Sequence, residues 1–577
     1  EPTEVAPPPP ALAEDMPEDA MNDVHEKRVN PSKNIVDSGA DADTITLSGA
    51  ETSAKNILGG DGNDIIKVKD GAKTELIIAD EGDDEVTVSG AGTYVSAING
   101  RGGDDTILVE KGAKVDGIVG RWGDDKITVT GAGTVVTGDV KGNEDSDTIK
   151  ILDGATVNGN VSGGQGEDPS TYGAAQNSDG NNITVQNAEV KGNVEGSTYG
   201  GDNKIEVSNS TIGGSVLGGI DVDVINVTSG SKVNKTVEGG AGEDKITVTG
   251  AGTVVGEGLT TPQLKANGSI TGGEGNDKIV LSDGAHAVNA GIAGWGGDDE
   301  ITVTGSGTRA HSISGHAGDD TIRVDNKAYI EHAVSANTGN GTVTVSGEGT
   351  SVGGIHSNGN APITVEDGAE VRGALYAYGA SGEQTIVVQS GAKVDSVDTT
   401  TDFRDDINTG GNTKDTVMVK DAGTVVKTVR TGSYDDTLIV QDGATVKNVD
   451  LGAGNDTKMT TTNNSGNLVV NSLDGDGNID LSKIAKVAEN INSVDVSAVN
   501  NAVLNVDPKD VLDLGAQDKT LEIKGGSDDA VKSKSSGQWS ADGSDATHKS
   551  FTGSANDDNG VAQTVTIKVE NDVATDL

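Results

Sequence analysis

The sequence predicts an all-β chain wound as a parallel β-solenoid of the β-roll or β-helix kind, about 20 residues per coil, with a small C-terminal β-rich domain. Three observations carry that reading. Short loops of glycines and acids run straight into β-branched strands, as in GRGGDDTILV (100–109), GRWGDDKITV (120–129) and GWGGDDEITV (294–303). The loop acids Asp64, Asp84, Asp105, Asp125 and Asp147 recur at intervals of about 20 residues, so one interval is one coil. The composition of 577 residues, with 85 glycines and aromatics at 2 %, leaves Val, Ile, Ala and Leu to fill the interior, which suits a narrow solenoid better than a thick globule.

Three zones follow along the chain. Residues 1–34 are Pro-rich and acidic without periodicity, and read as a leader that is disordered or docked on a partner. Residues 35–465 hold the repeat. Each coil reads as an acidic turn, a strand such as ITV (127–129), a second turn and a second strand. The second turns alternate in kind: KDGAK (69–73), SGAGTYV (89–95), EKGAKV (110–115), TGAGTVV (130–136), LDGATV (152–157), a superrepeat of two coils. The segment DDKITVTGAGTVV (124–136) returns as EDKITVTGAGTVV (243–255), which implies duplication of a set of coils. No 3.6-residue or heptad period interrupts this zone. In residues 466–577 the period breaks: LSKIAKVAEN (481–490) predicts a short helix, and AVLNV (502–506), VLDL (511–514), KTLEIKGG (519–526) and QTVTIKVEN (563–571) predict strands. By its residues this zone is a cap over the last coil, which an open solenoid end requires.

The acidic turns carry the chemistry. GGDGNDIIK (59–67), GGAGEDKIT (239–247) and GGEGNDKIV (272–280) are nonapeptides in which glycines permit a tight turn with inward carbonyls and the sixth-position Asp adds a hard carboxylate oxygen. They resemble the GGxGxDxUx unit of repeat-in-toxin (RTX) proteins, calcium-binding β-rolls exported by bacterial type I secretion. The resemblance implies Ca²⁺ as the bound ion, with Gly59, Asp61, Asp64, Asp84, Asp105, Asp125, Asp147, Gly239, Asp244, Gly272, Asp277, Asp299, Asp320, Asp436 and Asp456 as the candidate metal-site residues. Because the second turns lack the motif, one calcium column is expected where that family has two. Coils at NTGNGTVTV (337–345), NGNAPITV (358–365) and SGEQTIVV (381–388) have lost the Asp and are expected to hold no ion. Turn chemistry and solvation alone also favour Asp, Asn and Gly at such places. Carboxylates about 5 Å apart in successive coils repel by roughly 1 kcal/mol even in water, and a cation column removes that cost. The C-terminal zone resembles the terminal region of large type I secreted adhesins, which implies an export signal there.

A net charge of -49, from 91 acidic and 42 basic residues, speaks against nucleic acid and anionic membranes as partners. No apolar run approaches the roughly 18 residues of a membrane span, so no membrane insertion is expected. The absence of cysteine fits any compartment. No nucleophile elbow, HExxH or CxxC motif occurs, and acid pairs such as Asp104–Asp105 repeat in nearly every coil, whereas catalytic pairs are singular; no enzymatic activity is expected. His311 and His332, about one coil apart, read as a surface ladder, with metal binding or pH sensing as the alternative. The expected function is a secreted calcium-binding structural protein of the bacterial cell surface or extracellular matrix: an S-layer, adhesin-stalk or filament subunit of a biofilm matrix. It folds on meeting extracellular calcium and self-assembles as a homo-oligomer or polymer, with a cell-surface polysaccharide as a further class of partner. The alternative is a calcium-binding carrier module of a larger secreted enzyme or toxin.

Overall fold

The computed structural model describes residues 27–28, 33–164, 180–198, 200–259, 268–358, 360–377, 383–398, 414–431, 435–451, 456–461, 467–473, 477–485, 488 and 491–577. Most of the leader expected over 1–34, and the end of the helix expected over 481–490, lie outside these residues. The chain divides into two compact units, 1–191 and 192–577. Each is a parallel β-solenoid, and together they hold about 19 turns of about 21 residues, with 57 % of the described residues in strand.

In the first unit each coil contributes a five-residue strand to one face, as in Thr44–Ser48, Ile65–Lys69, Glu85–Ser89, Thr106–Glu110 and Lys126–Thr130. Successive strands pair in parallel and in register, so Ile45, Ile66, Val86, Ile107, Ile127, Ile149 and Ile183 stack in one buried column. Alternation with period 2 sends these side chains inward and their neighbours outward. The opposite face stacks Ile57, Ile77, Ile98, Ile118, Val140 and Val161. Full burial of each such side chain contributes about 1.5–3 kcal/mol, so β-branched residues can close a core here without aromatics. From Ser53–Asp61 to Lys114–Trp122 the opposite face carries one nine-residue strand per coil; from Val135 it is broken into two pieces, Val135–Val136 and Val140–Asn143, both paired with that strand. The break falls at Gly138, where a Cβ would lie 2.5 Å from the carbonyl oxygen of Asp116.

The alternating second turns have a physical cause. Turn residues Ala72, Thr93, Ala113 and Thr134 occupy equivalent places in successive coils. The Thr93 hydroxyl donates to the Ser89 carbonyl at 2.9 Å and accepts from the Gly71 amide of the neighbouring coil at 2.9 Å. Thr134 does the same with Thr130 and Gly112, at 2.8 and 3.0 Å. Each GAGT turn therefore serves an amide of the turn before it, where alanine suffices.

The second unit repeats the plan, stacking Ile205, Ile225, Ile246, Ile279, Ile301, Ile322, Val343, Ile363 and Ile386. Its last regular coil strand, Thr457–Thr461, meets Asn467–Leu473 in antiparallel fashion. Parallel pairing then resumes through Ser493–Asp495, Thr520–Lys524 and Ala562–Glu570, and in a second column through Asn478–Asp480, Val503–Asn505, Ala530–Lys532 and Ala574–Asp576. The hairpin Trp539–Ser544 and His548–Asn556 joins the first of these sheets. Trp539 is buried and donates its indole N–H to the Val506 carbonyl at 3.1 Å. The expected short helix is present as Leu481–Ala485. The strand expected at VLDL is instead part of the helix Pro508–Asp513. Proline at its first turn and a reciprocal Asp507–Asp510 capping box override the short apolar run.

Candidate metal centre

The aspartates that end the acidic turns stand in the inward register of the strands they precede. Asp64 lies two residues before buried Ile66, so the same alternation that buries the isoleucine buries the carboxylate. In the first unit Asp64, Asp84, Asp105, Asp125 and Asp147 form one column, each 2 % exposed or less. Their Oδ1 atoms accept the backbone N–H of the equivalent residue one coil earlier: Asp43 to Asp64 at 2.7 Å, Asp64 to Asp84 at 2.7 Å, Asp84 to Asp105 at 2.9 Å, Asp105 to Asp125 at 2.9 Å and Asp125 to Asp147 at 3.0 Å. Asn181 stands next in the run, its amide oxygen taking the Asp147 N–H at 2.8 Å.

The second unit places Asn203, Asp223, Asp244, Asp277, Asp299 and Asp320 in the same relation, with contacts of 2.7–3.1 Å. The register then puts Gly341, Ala361 and Gln384 at the equivalent places. The column resumes with Asp415, Asp436 and Asp456. The three coils read as having lost their Asp are those three. Asp61 lies apart from the column, exposed at the outside of its turn.

In eleven of these aspartates the other carboxylate oxygen has no hydrogen-bond partner. The Oδ2 atoms of Asp64, Asp84, Asp105, Asp125, Asp147, Asp223, Asp244, Asp277, Asp299, Asp320 and Asp436 are buried without a hydrogen bond. Each complete motif aims this atom at its own first glycine. A Cβ on Gly59 would lie 2.6 Å from Asp64 Oδ2 and 2.3 Å from the Ala79 carbonyl oxygen of the next coil. On Gly239 it would lie 2.2 Å from Asp244 Oδ2 and 2.7 Å from the Gly272 oxygen, and on Gly272 it would lie 2.2 Å from Asp277 Oδ2. The first glycine is required by this close approach; the second, Gly60, is required by its φ of +100°. In variant turns Asp80, Arg101 and Arg121 take Gly60's place with φ of 83–94°, at a strain of about 1–2 kcal/mol each.

Burial pushes these acids far above the ordinary carboxylate range, offset in part by the backbone hydrogen bond to Oδ1 and reinforced in most of them by neighbouring aspartates. Asp64 and Asp84 rise to about 6, Asp105 to about 7, Asp125 to about 8 and Asp147 to about 9. Asp244 and Asp320 rise to about 6, Asp223, Asp277 and Asp299 to about 7, and Asp436 to about 8. A buried carboxylate of this kind is neutralised by a proton or by a cation. The donor chemistry fits a hard cation such as Ca²⁺: a carboxylate oxygen and a backbone carbonyl oxygen from the next coil border the same small space over the glycine.

A second row flanks the first. Exposed Asp83, Asp104 and Asp124 accept N–H groups from the coil after them: Asp104 to Asp83 at 2.9 Å, Asp124 to Asp104 at 2.9 Å and Ser146 to Asp124 at 3.0 Å. Paired acids such as Asp104–Asp105 thus stitch one coil to both neighbours. Sequence reasoning missed this row as well as Asp223, Asp415, Asn181 and Asn203 of the inner one. Their signal is an Asp or Asn one residue before a β-branched strand, without the full glycine pattern. No family model, no curated protein and no solved structure matches this chain.

Proposed function

We propose that the chain is an RTX-like calcium-binding structural protein, exported by type I secretion to the bacterial surface or matrix, where it serves as an S-layer, adhesin-stalk or filament subunit. One observation carries the reading: a row of buried, unpartnered aspartate Oδ2 atoms, most of them aimed over a glycine and, at Gly59, Gly100, Gly120, Gly218, Gly239 and Gly294, beside a carbonyl oxygen of the next coil. Left ionised and unpaired, such a row opposes folding; filled with Ca²⁺, it drives folding. At low Ca²⁺ the -49 chain stays expanded, and millimolar Ca²⁺ outside the cell lets the coils close. Backbone groups at coil ends, together with ion bridges between acidic faces, supply the contacts for assembly. A carrier module of a larger secreted enzyme or toxin uses the same calcium chemistry but needs no assembly.

Circular dichroism and light scattering of the full chain, in EDTA and then in several millimolar Ca²⁺, test both halves of the proposal. The expected result is a gain of strand signal followed by ordered particles. Equal strand content in both buffers overturns the folding mechanism. Folding on calcium with a strictly monomeric product overturns the structural-subunit reading in favour of the carrier module.

A further inference from the structure

A site of different chemistry lies in the second unit, built by a β-bulge. Strand Tyr329–Asn337 pairs with Ser351–Ser357, but the register slips: Ile330 faces Val352 and Ala333 faces Gly354, leaving Glu331 and His332 opposite Gly353 alone. Alternation fails there, and Glu331 and His332 are exposed in succession. Bulges re-aim side chains in this way. Gly353 is the residue that permits it, since a Cβ there would lie 2.4 Å from the Glu331 oxygen and 2.5 Å from the His332 oxygen. Arg372 braces the bulged backbone, its guanidinium donating to the carbonyls of Ile330 at 2.6 Å and Glu331 at 3.0 Å and covering the Tyr329 ring.

The re-aimed pair meets His311 of the preceding coil, whose carbonyl accepts the His332 N–H at 2.9 Å. His311 Nδ1 stands 3.2 Å from Glu331 Oε2, and His332 Nε2 stands 4.0 Å from Glu331 Oε1. The imidazole centroids are 4.4 Å apart with planes at 74°, and ligand atoms of all three residues lie within 4.8 Å of one another. We propose that His311, Glu331 and His332 bind a borderline divalent transition metal, Zn²⁺ above all, and so clip two neighbouring coils together. Two imidazoles with one carboxylate select this class over Ca²⁺, which takes oxygen donors. Tetrahedral Zn²⁺ with bonds of about 2.0–2.1 Å sets its ligands about 3.3 Å apart, a spacing the His311–Glu331 pair already has. A side-chain rotation brings in His332, and the fourth position is left to water or to a group on another molecule.

The test uses the full chain in several millimolar Ca²⁺, which occupies oxygen-only sites, with Zn²⁺ titrated by calorimetry and the bound ion read by zinc K-edge absorption. Expected are one tight Zn²⁺ per chain with two imidazoles in its shell, and loss of that site in H311A/H332A by more than the roughly 10–100-fold that removal of an outer-sphere partner costs. E331Q should weaken the site less, with strand content unchanged. Should the double variant lose strand signal, H332A alone decides. Zn²⁺ binding of equal affinity and number in the wild type and the His variant, or a K-edge spectrum without imidazole scattering, overturns the proposal.

Discussion

Replacing Asp125 by asparagine should stabilise the metal-free protein at neutral pH, the opposite of the usual outcome at a fully buried site. Burial raises the Asp125 carboxyl from 3.8 to about 8. For an acid shifted upward, the folded form's advantage is complete below 3.8 and is lost as pH rises through about 8. At pH 7 the folded chain must keep a proton that the unfolded chain has released, at about 1.4 kcal/mol per pH unit above 3.8, hence roughly 4 kcal/mol. Asparagine carries no such cost, keeps the existing contact and can add a second. Its oxygen can accept the Asp105 N–H, as Asp125 does at 2.9 Å, and its amide can donate toward the Gly142 carbonyl bordering the same glycine. The protein already holds an amide in this column: Asn203, at the same position in its coil, donates to the Gly201 carbonyl of its own turn at 2.8 Å and to Asp223 Oδ1 of the next coil at 2.9 Å. In EDTA at pH 7, Asp125→Asn should gain on the order of 1–4 kcal/mol and show a shallower decline between pH 5 and 8. In several millimolar Ca²⁺ the order should reverse, because the variant has lost an anionic ligand. Urea unfolding followed by circular dichroism, with and without Ca²⁺, measures both differences. A variant less stable than wild type in EDTA, with an unchanged calcium increment, would refute the buried-charge argument.

Two further expectations concern the same turns. Gly100→Ala places a Cβ 2.0 Å from Asp105 Oδ2 and should cost about 1–3 kcal/mol and blunt the calcium response, whereas Gly112→Ala, whose nearest contact is 3.7 Å, should show only the cost of its φ of +80° and respond to calcium normally; urea midpoints in both buffers compare them. Hydrogen exchange should show calcium-dependent protection strongest around Asp64–Asp147 and Asp223–Asp320 and weakest around Gly341, Ala361 and Gln384, and a uniform gain across all coils would contradict site-by-site binding.

The solenoid was legible because its two strongest signals are short-range. A glycine turn and a period-2 run of Ile and Val each fix local backbone, and their recurrence fixes the stacking. The Asp column was legible as a row of acids, but its direction was not read: Asp64, Ile66 and Val68 share the inward register, which period 2 implies once Asp64 is counted with the strand rather than with the turn. The outer row was missed because its bonds run from backbone N–H groups one coil away, a pairing that turn composition does not reveal. VLDL was misread because four apolar-rich residues carry no period, while the deciding signal, Asp507-Pro508 with Asp510, precedes and overlaps it.

The hydroxyl bridges of the second turns bear on how such a chain can change length. A threonine in one coil satisfies an amide in the coil before it, and alanine there makes no such demand. Where two alanine turns meet, at Ala155 and Ala188, the Gly154 amide turns instead to the Asn187 carbonyl at 2.7 Å, and at Ala369 and Ala392 the Gly368 amide takes the Ser390 carbonyl at 2.9 Å. One coil is thus tied to the next either through a hydroxyl or through backbone alone. Loss or gain of a single coil by recombination exchanges one tie for the other, so the solenoid can grow and shrink one coil at a time.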